Sequence, residues 1–424
     1  MNALRRYFER NSQEISEDGV LRAVGVCLAI THVLSFLSWK INYGGLEKIL
    51  SEGQRFVCWP FFEACDQIRF LSPGGVAAVL WVYLACSVLV LGLFAWKGKG
   101  GIAYAGLCLL TLFKLFILIQ DYRLRLNQHY MSLFSTIVFL FLPDKRRLFQ
   151  YQLAFFYFWA GTLKLDHEWL SGEALYRKEH LWVPDALIPA SCVYVAVLEL
   201  VIVWGIFSRN RWVFWSTFAQ LVLFHIYSFP IVGFFYPLLM FALLSIFPLT
   251  RLEETGVLGK WGFPAPAAST PRPLMPGDFL RGREKKSTYA WLGFFSLLQI
   301  VPYLFPGDSA VTGEGRLFAL HMFDARVQCE AKVTYKGKDG EAKTRDITIP
   351  GDAGRMRCDP LIYWNMARNY CRQGEKKGKV PELDLAMSAR RATDAEMRPV
   401  VDVKNFCMNP PTYELFWPNE WILK

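Results

Sequence analysis

The chain has 424 residues, of which 53% are hydrophobic and 16% aromatic, and its mean hydropathy is +0.21. That is too apolar for an ordinary soluble enzyme of this length, and the apolar runs are long enough to cross a bilayer, so the chain reads as a polytopic helical membrane protein. The net charge of +10 points to basic cytoplasmic loops rather than nucleic acid. No metal-ligand spacing, Gly-rich phosphate loop or nucleophile triad stands behind a metal, ATP or hydrolase reading.

Residues 1–18 are polar, carry Arg5, Arg6 and Arg10, and are expected in the cytoplasm with no cleavable signal peptide. Apolar runs predict spans at about Val20–Trp39, Val76–Trp96, Ile102–Gln120, Tyr130–Leu142, Leu148–Leu165, Ala190–Phe207, Trp212–Phe229 and Val232–Leu249. Together, 19–250 form a transmembrane domain of about eight spans. A Pro-rich basic linker follows at 251–286, then a ninth span at 287–305 and a small α+β domain at 306–424. The fourth span is short, so the region 121–147 leaves the exact count open. In the C-terminal domain, VQCEAKVTY and TRDITIP flank KGKDGEAK as a β-hairpin, and Pro360–Gln373 reads as a helix with an aromatic face.

Charge sets the orientation. With the N-terminus inside, the cytoplasmic segments carry 17 Lys and Arg against eight in the external connections of the membrane domain. Nine spans then put the C-terminal domain in the periplasm or a lumen. Cysteines agree: Cys27, Cys86, Cys108 and Cys192 fall within spans, whereas Cys58, Cys65, Cys329, Cys358, Cys371 and Cys407 all fall on the outer side, where disulfides form. Cys58 and Cys65 suit a local pair, and the last four permit three pairings.

The stretch Tyr157–Leu175, YFWAGTLKLDHEWLSGEAL, passes from membrane helix to polar loop, with Lys164 at the changeover. A lysine there is a snorkelling anchor or a functional amine. His129, with Asn127 and Gln128 beside it, opens the fourth span on the same side. His225, followed by Tyr227, lies toward the outer end of the seventh. Lys164, His129 and His225 are therefore expected at one depth near the outer interface, beneath the C-terminal domain. A desolvated amine can act as a base, and an imidazole and an amide nearby can hold a developing oxyanion. Lys114 and Glu199 lie deeper and suit an ion pair or polar network. Arg22 suits an inner anchor, His32 a structural hydrogen bond and Asp166 a turn cap.

These segments carry a resemblance. YFWAGTLKLDHEWLSGEAL resembles the YFxAGxxKLDxxWxxG segment of vitamin K-dependent γ-carboxylases, LNQHYM their Asn-Asn-His segment, and FHIYSFPIVGFFYPLLM their FHxxN…IGxFPxxML segment. FVCWPFFEAC and the span order are similar to the wider family of horizontally transferred transmembrane (HTTM) domain proteins. The likeness covers about residues 15–250, with a weaker echo in RLFALHMF. It implies an integral membrane carboxylase-like enzyme. A lysine at Lys164 would deprotonate a reduced quinone (vitamin K hydroquinone or menaquinol). With O2, a γ-proton would then be removed from a glutamate of a secreted peptide, and CO2 would add. It implies a supporting role for His129 and for Gln128, which stands where the family has Asn; Ser228 replaces a family Asn. The C-terminal domain is shorter than the lumenal part of the full carboxylases. Two other readings fit the same spans: a non-enzymatic HTTM protein that assists maturation, export or immunity of a secreted peptide, and a transporter using Lys114, Glu199 and Arg22 as a relay.

Overall fold

The computed structural model describes every residue except 1, 42–45, 47–56, 63–72, 97, 177–182, 257–284, 321–325, 337–340, 350–357, 377 and 379–381. Helices dominate. They are α1 (Asn2–Glu17), α2 (Gly19–Ile41), α3 (Pro73–Ala95), α4 (Gly100–Leu118), α5 (Asn127–Phe141), α6 (Lys145–Thr162), α7 (His167–Leu170), α8 (Ile188–Leu200), α9 (Arg211–Val232), α10 (Phe235–Leu244), α11 (Ile246–Glu254) and α12 (Lys286–Ile300), then α13 (Ser309–Thr312) and α14 (Pro360–Lys376). Among the described residues, six segments are long and apolar enough to cross a membrane: Gly19–Ile41, Gly75–Ala95, Gly100–Leu118, Asp185–Phe207, Arg211–Val232 and Phe235–Glu254. Trp81, Leu89, Leu109, Leu112, Leu223 and Leu297 point outward from the bundle. Such a belt of exposed large apolar side chains suits lipid rather than water.

Contacts define two ends of the bundle. At one end Arg146, opening α6, bonds Asp18 at the α1–α2 junction and Glu253 at the end of α11, each at 2.6 Å. Lys285 meets Asp144 there at 2.7 Å, and Tyr7 of α1 donates to the Phe141 carbonyl. The residues expected as a plain polar N-terminus therefore form a helix that packs along α4 and α2. At the opposite end the C-terminal domain rests on the connections between spans. Tyr122 Oη donates to Asp359 at 2.7 Å, Asn365 accepts from the Cys58 N–H at 3.1 Å, and Arg125 reaches the Arg316 carbonyl at 3.1 Å.

The C-terminal domain holds a four-stranded antiparallel sheet in the order β2-β1-β3-β4, from β1 (Val327–Lys336), β2 (Ala342–Asp346), β3 (Leu383–Arg391) and β4 (Arg398–Val403). Cys329, Ala331 and Val333 of β1 face inward with Leu383, Leu385, Met387 and Ala389 of β3, the period of two that a half-buried strand requires. The aromatic face of α14, with Tyr363 and Trp364, covers them. Hairpin and helix match the sequence expectation, and β3 and β4 extend it. Pro399 lies in the edge strand β4 beside a register irregularity at Met387/Ser388, where a missing N–H costs little. Disulfides join Cys329 to Cys358 and Cys371 to Cys407, choosing one of the three pairings. Cys27, Cys86, Cys108 and Cys192 are free thiols. Cys58 is disulfide-bonded; Cys65 lies outside the described residues.

Candidate functional site

Lys164 follows the last turn of α6 and is 3% exposed. Its Nζ donates to Glu199 Oε2 at 2.6 Å and to the Ala160 carbonyl at 3.2 Å. Glu199, on α8, is fully buried. The AG pair of the motif explains how the two meet. A Cβ on Gly161 would lie 2.8 Å from Leu200 Cγ and 3.1 Å from Glu199 Cβ, so only glycine lets α8 approach this closely, as small residues do at helix crossings in membranes. The deep ion pair expected for Glu199 exists, but its cation is Lys164 rather than Lys114.

The loop after Lys164 folds back over it. Asp166 caps α7 by accepting from the Trp169 N–H at 2.8 Å, the capping role its position predicts. The Trp169 ring then stands 5.2 Å from Lys164 Nζ, and its indole N–H is fixed on the Cys192 carbonyl at 3.0 Å. Gly172, at φ +83°, turns the chain out of α7. Glu168, between cap and lid, accepts from the Arg326 backbone N–H at 2.6 Å and lies 3.5 Å from Arg391. Arg391 also makes a two-pronged contact with Asp308, at 2.5 and 2.8 Å. The Asp308 hydrogen bond raises the Arg391 pKa, with the Asp166 and Glu168 charges adding to it against burial. Burial pushes the Asp308 carboxyl up, but the Arg391 guanidinium and the Ala310 N–H outweigh it, and its pKa falls below the ordinary value.

Tyr157 lies seven residues before Lys164, on the same face of α6. Its hydroxyl meets His225 Nε2 of α9 at 2.5 Å. The Tyr236 ring packs against the His225 imidazole with centroids 5.3 Å apart. His225 is close enough to Lys164 for their charges to interact, as are Tyr157 and Tyr236 to Glu199. Glu199 Oε1 and His225 Nδ1 find no hydrogen-bond partner among the described residues. Tyr227, two residues on and facing elsewhere, is half-buried near Cys192.

His129 belongs to a neighbouring cluster. It is buried on the first turn of α5, where Asn127 and Gln128 are half-buried. Its Nδ1 lies 3.4 Å from Ser35 Oγ, and its ring packs on Trp39 at 5.1 Å and Phe235 at 5.3 Å. Lys114 Nζ donates to Ser132 Oγ at 2.6 Å, and His32 Nδ1 meets Tyr83 Oη at 2.6 Å. The three groups expected at one depth thus divide: Lys164 with His225, and His129 with Lys114 and His32. Phe235 and Tyr236, consecutive in α10, join the two by touching His129 and His225 respectively. Sequence reasoning passed over Tyr157, Trp169 and Tyr236. Tyr157 and Trp169 stand in the Lys164 motif itself, where the spacing of seven from Tyr157 to Lys164 was the available signal for the first.

Among the described residues no group of three His, Cys, Asp or Glu could hold a metal ion. Compared with family models, curated proteins and solved structures, the chain matches none.

Proposed function

We propose that the protein is an integral membrane, quinol-dependent carboxylase-like enzyme in which the buried Lys164–Glu199 pair takes a proton from a reduced quinone. The observation that carries this is the 2.6 Å pair itself, sealed by Trp169 at the end of the bundle that bears the C-terminal domain. A buried ion pair in an apolar medium carries a heavy desolvation cost and needs a reason. Holding and passing a proton is one, since the Glu199 carboxylate can take one up while staying hydrogen-bonded to the Lys164 ammonium.

The residues fit the head group of a reduced quinone. A phenolic O–H needs an acceptor: Glu199 Oε1 is a buried one with no partner among the described residues, and His225 Nδ1, also without a partner there, accepts in the tautomer whose Nε2–H donates to Tyr157. The rings of Trp169 and Tyr236 supply apolar walls. When bound, a reduced quinone supplies, with O2, the basicity to deprotonate a peptide glutamate at Cγ, where CO2 adds. Lys164 and Glu199 hold the abstracted proton, the Tyr157–His225 hydrogen bond orients the imidazole, and Trp169 keeps water from the amine.

The reading extends to topology. Helices α5, α6 and α12 join the same two ends as the six long spans, which supports nine crossings. The basic residues at the Arg146 end support a cytoplasmic N-terminus. The disulfides of the C-terminal domain support its placement in the periplasm or a lumen, within reach of a secreted peptide.

The test is quinol epoxidation by purified protein with labelled bicarbonate and a short glutamate-rich peptide, using vitamin K hydroquinone and menaquinol in separate arms. Epoxide from wild type that is lost in folded Lys164→Met and Glu199→Leu variants, with label in the peptide, is the expected result. No epoxide in either arm would turn the reading to a non-enzymatic membrane protein acting on a secreted peptide.

A further inference from the structure

The polar groups buried within the bundle can be audited for charge. Glu199 is paired with Lys164, Asp121 with Arg123 at 2.9 Å, and Glu253 and Asp18 share Arg146. Lys145 donates to Asn11 and the Leu142 carbonyl, with Glu14 at 3.9 Å. Lys114 stands outside this scheme. It is 3% exposed near the C-terminal end of an apolar span, and among the described residues its ammonium meets only a serine hydroxyl, Ser132 Oγ at 2.6 Å. An ammonium has three N–H donors. Among the described residues, His129 and His32 are the titratable groups close enough to interact with Lys114, and they are cationic or neutral and never anionic. A buried cation without an opposite charge is among the costliest arrangements a protein can hold.

Around this cation the unsatisfied groups converge. His129 Nε2 and the Trp39 indole Nε1–H, both buried, have no hydrogen-bond partner among the described residues. Their rings lie 5.1 Å apart with planes tilted by 34°, and Phe235 meets His129 in an edge-type contact at 5.3 Å. Donors of two kinds, an ammonium and an indole N–H, with an imidazole packed on the indole and Phe235 against the imidazole, suit a flat anion with two acceptor oxygens. Access is short: Lys114 lies four residues, about 6 Å of helix, from Leu118, whose carbonyl already bonds Trp59 at the end of the bundle that carries the C-terminal domain.

We infer that the Lys114–His129–Trp39 cluster is a binding site for a small planar monoanion of the carboxylate class, inorganic bicarbonate or an alkyl carboxylate. The bound anion supplies the negative charge that Lys114 lacks and accepts from the indole N–H. The site is distinct from the Lys164–Glu199 pair and needs no quinol chemistry. Ligand binding to the folded state stabilises it by RT ln(1 + c/Kd), where c is the anion concentration, so the unfolding midpoint climbs with the logarithm of c above Kd, and binding can be read without turnover.

The experiment uses the full chain in nanodiscs at constant pH and ionic strength, with bicarbonate, propionate or chloride as the varied anion. The expected result is a midpoint that rises with the logarithm of bicarbonate or propionate concentration, equally in Lys164→Met, and does not rise in Lys114→Met. The two arms tell an inorganic carbonate species from an alkyl carboxylate. Should Lys114→Met fail to fold, Trp39→Phe keeps an aromatic ring but loses the donor and should raise the concentration at which the midpoint begins to climb about tenfold or more, the worth of one hydrogen bond to a charged group. No rise in wild type, an equal rise in Lys114→Met (or in Trp39→Phe where that stands in), or an equal rise with chloride would overturn the assignment. Because Lys164→Met retains the expected response, loss of epoxidation in that variant and loss of anion binding in Lys114→Met report on separate sites.

Discussion

Gly161 of α6 and Leu200 of α8 pack so closely that a Cβ on the glycine would sit 2.8 Å from Leu200 Cγ. This contact sets the helix separation that brings Glu199, the residue before Leu200, to Lys164. Gly161→Ala should force α6 and α8 apart, at a cost of about 1–3 kcal/mol for overpacking. The thermal midpoint should fall, and Lys164 should become more reactive toward an amine-modifying reagent as its carboxylate partner withdraws. An unchanged midpoint and unchanged labelling would show that the crossing has slack.

The ion pair should behave as a unit. Removing one partner, as in Lys164→Met or Glu199→Leu, leaves the other charge buried and should cost about 3–5 kcal/mol. The double variant replaces the pair with apolar side chains and should recover most of that loss. A double-mutant cycle of unfolding in detergent measures it. Additive losses would mean that the two groups do not depend on each other.

Much of the membrane domain was legible in the chain because lipid imposes a coarse rule: apolar runs must be helices, and basic residues collect at one side. The span boundaries at Val20–Trp39 and Ile102–Gln120 fall within two residues of α2 and α4. Lys164 was legible as a singular lysine at a helix end. Its partner was not, because which helix face meets which depends on crossings such as Gly161 against Leu200, and hydropathy carries no pairing information. The same limit separated His129 from Lys164: depth can be counted along a helix, but rotation about its axis cannot. In the C-terminal domain, β3 shows clear alternation in LDLAMSAR, whereas β4 is obscured by Pro399 and by the polar residues of an edge strand.

The C-terminal domain should govern the order of the loop above Lys164. Glu168 binds the Arg326 N–H and faces Arg391, and the next residue is Trp169. Glu168→Ala leaves the Arg326 N–H without its acceptor, a loss of about 1–3 kcal/mol. Hydrogen exchange over 166–175 should rise while exchange in α14 stays as in wild type. Protection of that loop at the wild-type level would mean that the Asp166 cap and the Trp169–Cys192 bond hold it alone.

Each disulfide of the C-terminal domain should contribute about 2–4 kcal/mol by restricting the unfolded chain. The sequence separations of 29 and 36 residues are similar, so Cys329→Ser/Cys358→Ser and Cys371→Ser/Cys407→Ser should destabilise the domain to a similar degree. Peptide mapping under non-reducing conditions should recover Cys329 with Cys358 and Cys371 with Cys407. Recovery of crossed pairs would refute the register of α14 against the sheet.

Acid should loosen the contact between Arg391 and Asp308. The Asp308 carboxyl has its folded pKa below the ordinary value of 3.8, so it is ionised more readily in the folded protein than in the unfolded chain. For a carboxylate of depressed pKa, the added stability is fully present above the unfolded value and is lost as pH falls through the folded one. Asp308→Asn should therefore lower the unfolding midpoint by a constant amount above about pH 5, and the gap to wild type should close as pH drops below 3.8. Because Asp308 is partly buried and bonded through both oxygens, the difference at neutral pH should be about 1.5–3 kcal/mol, the range for a charge-assisted hydrogen bond. A gap that persists unchanged into strong acid would assign the loss to packing rather than to the carboxylate charge.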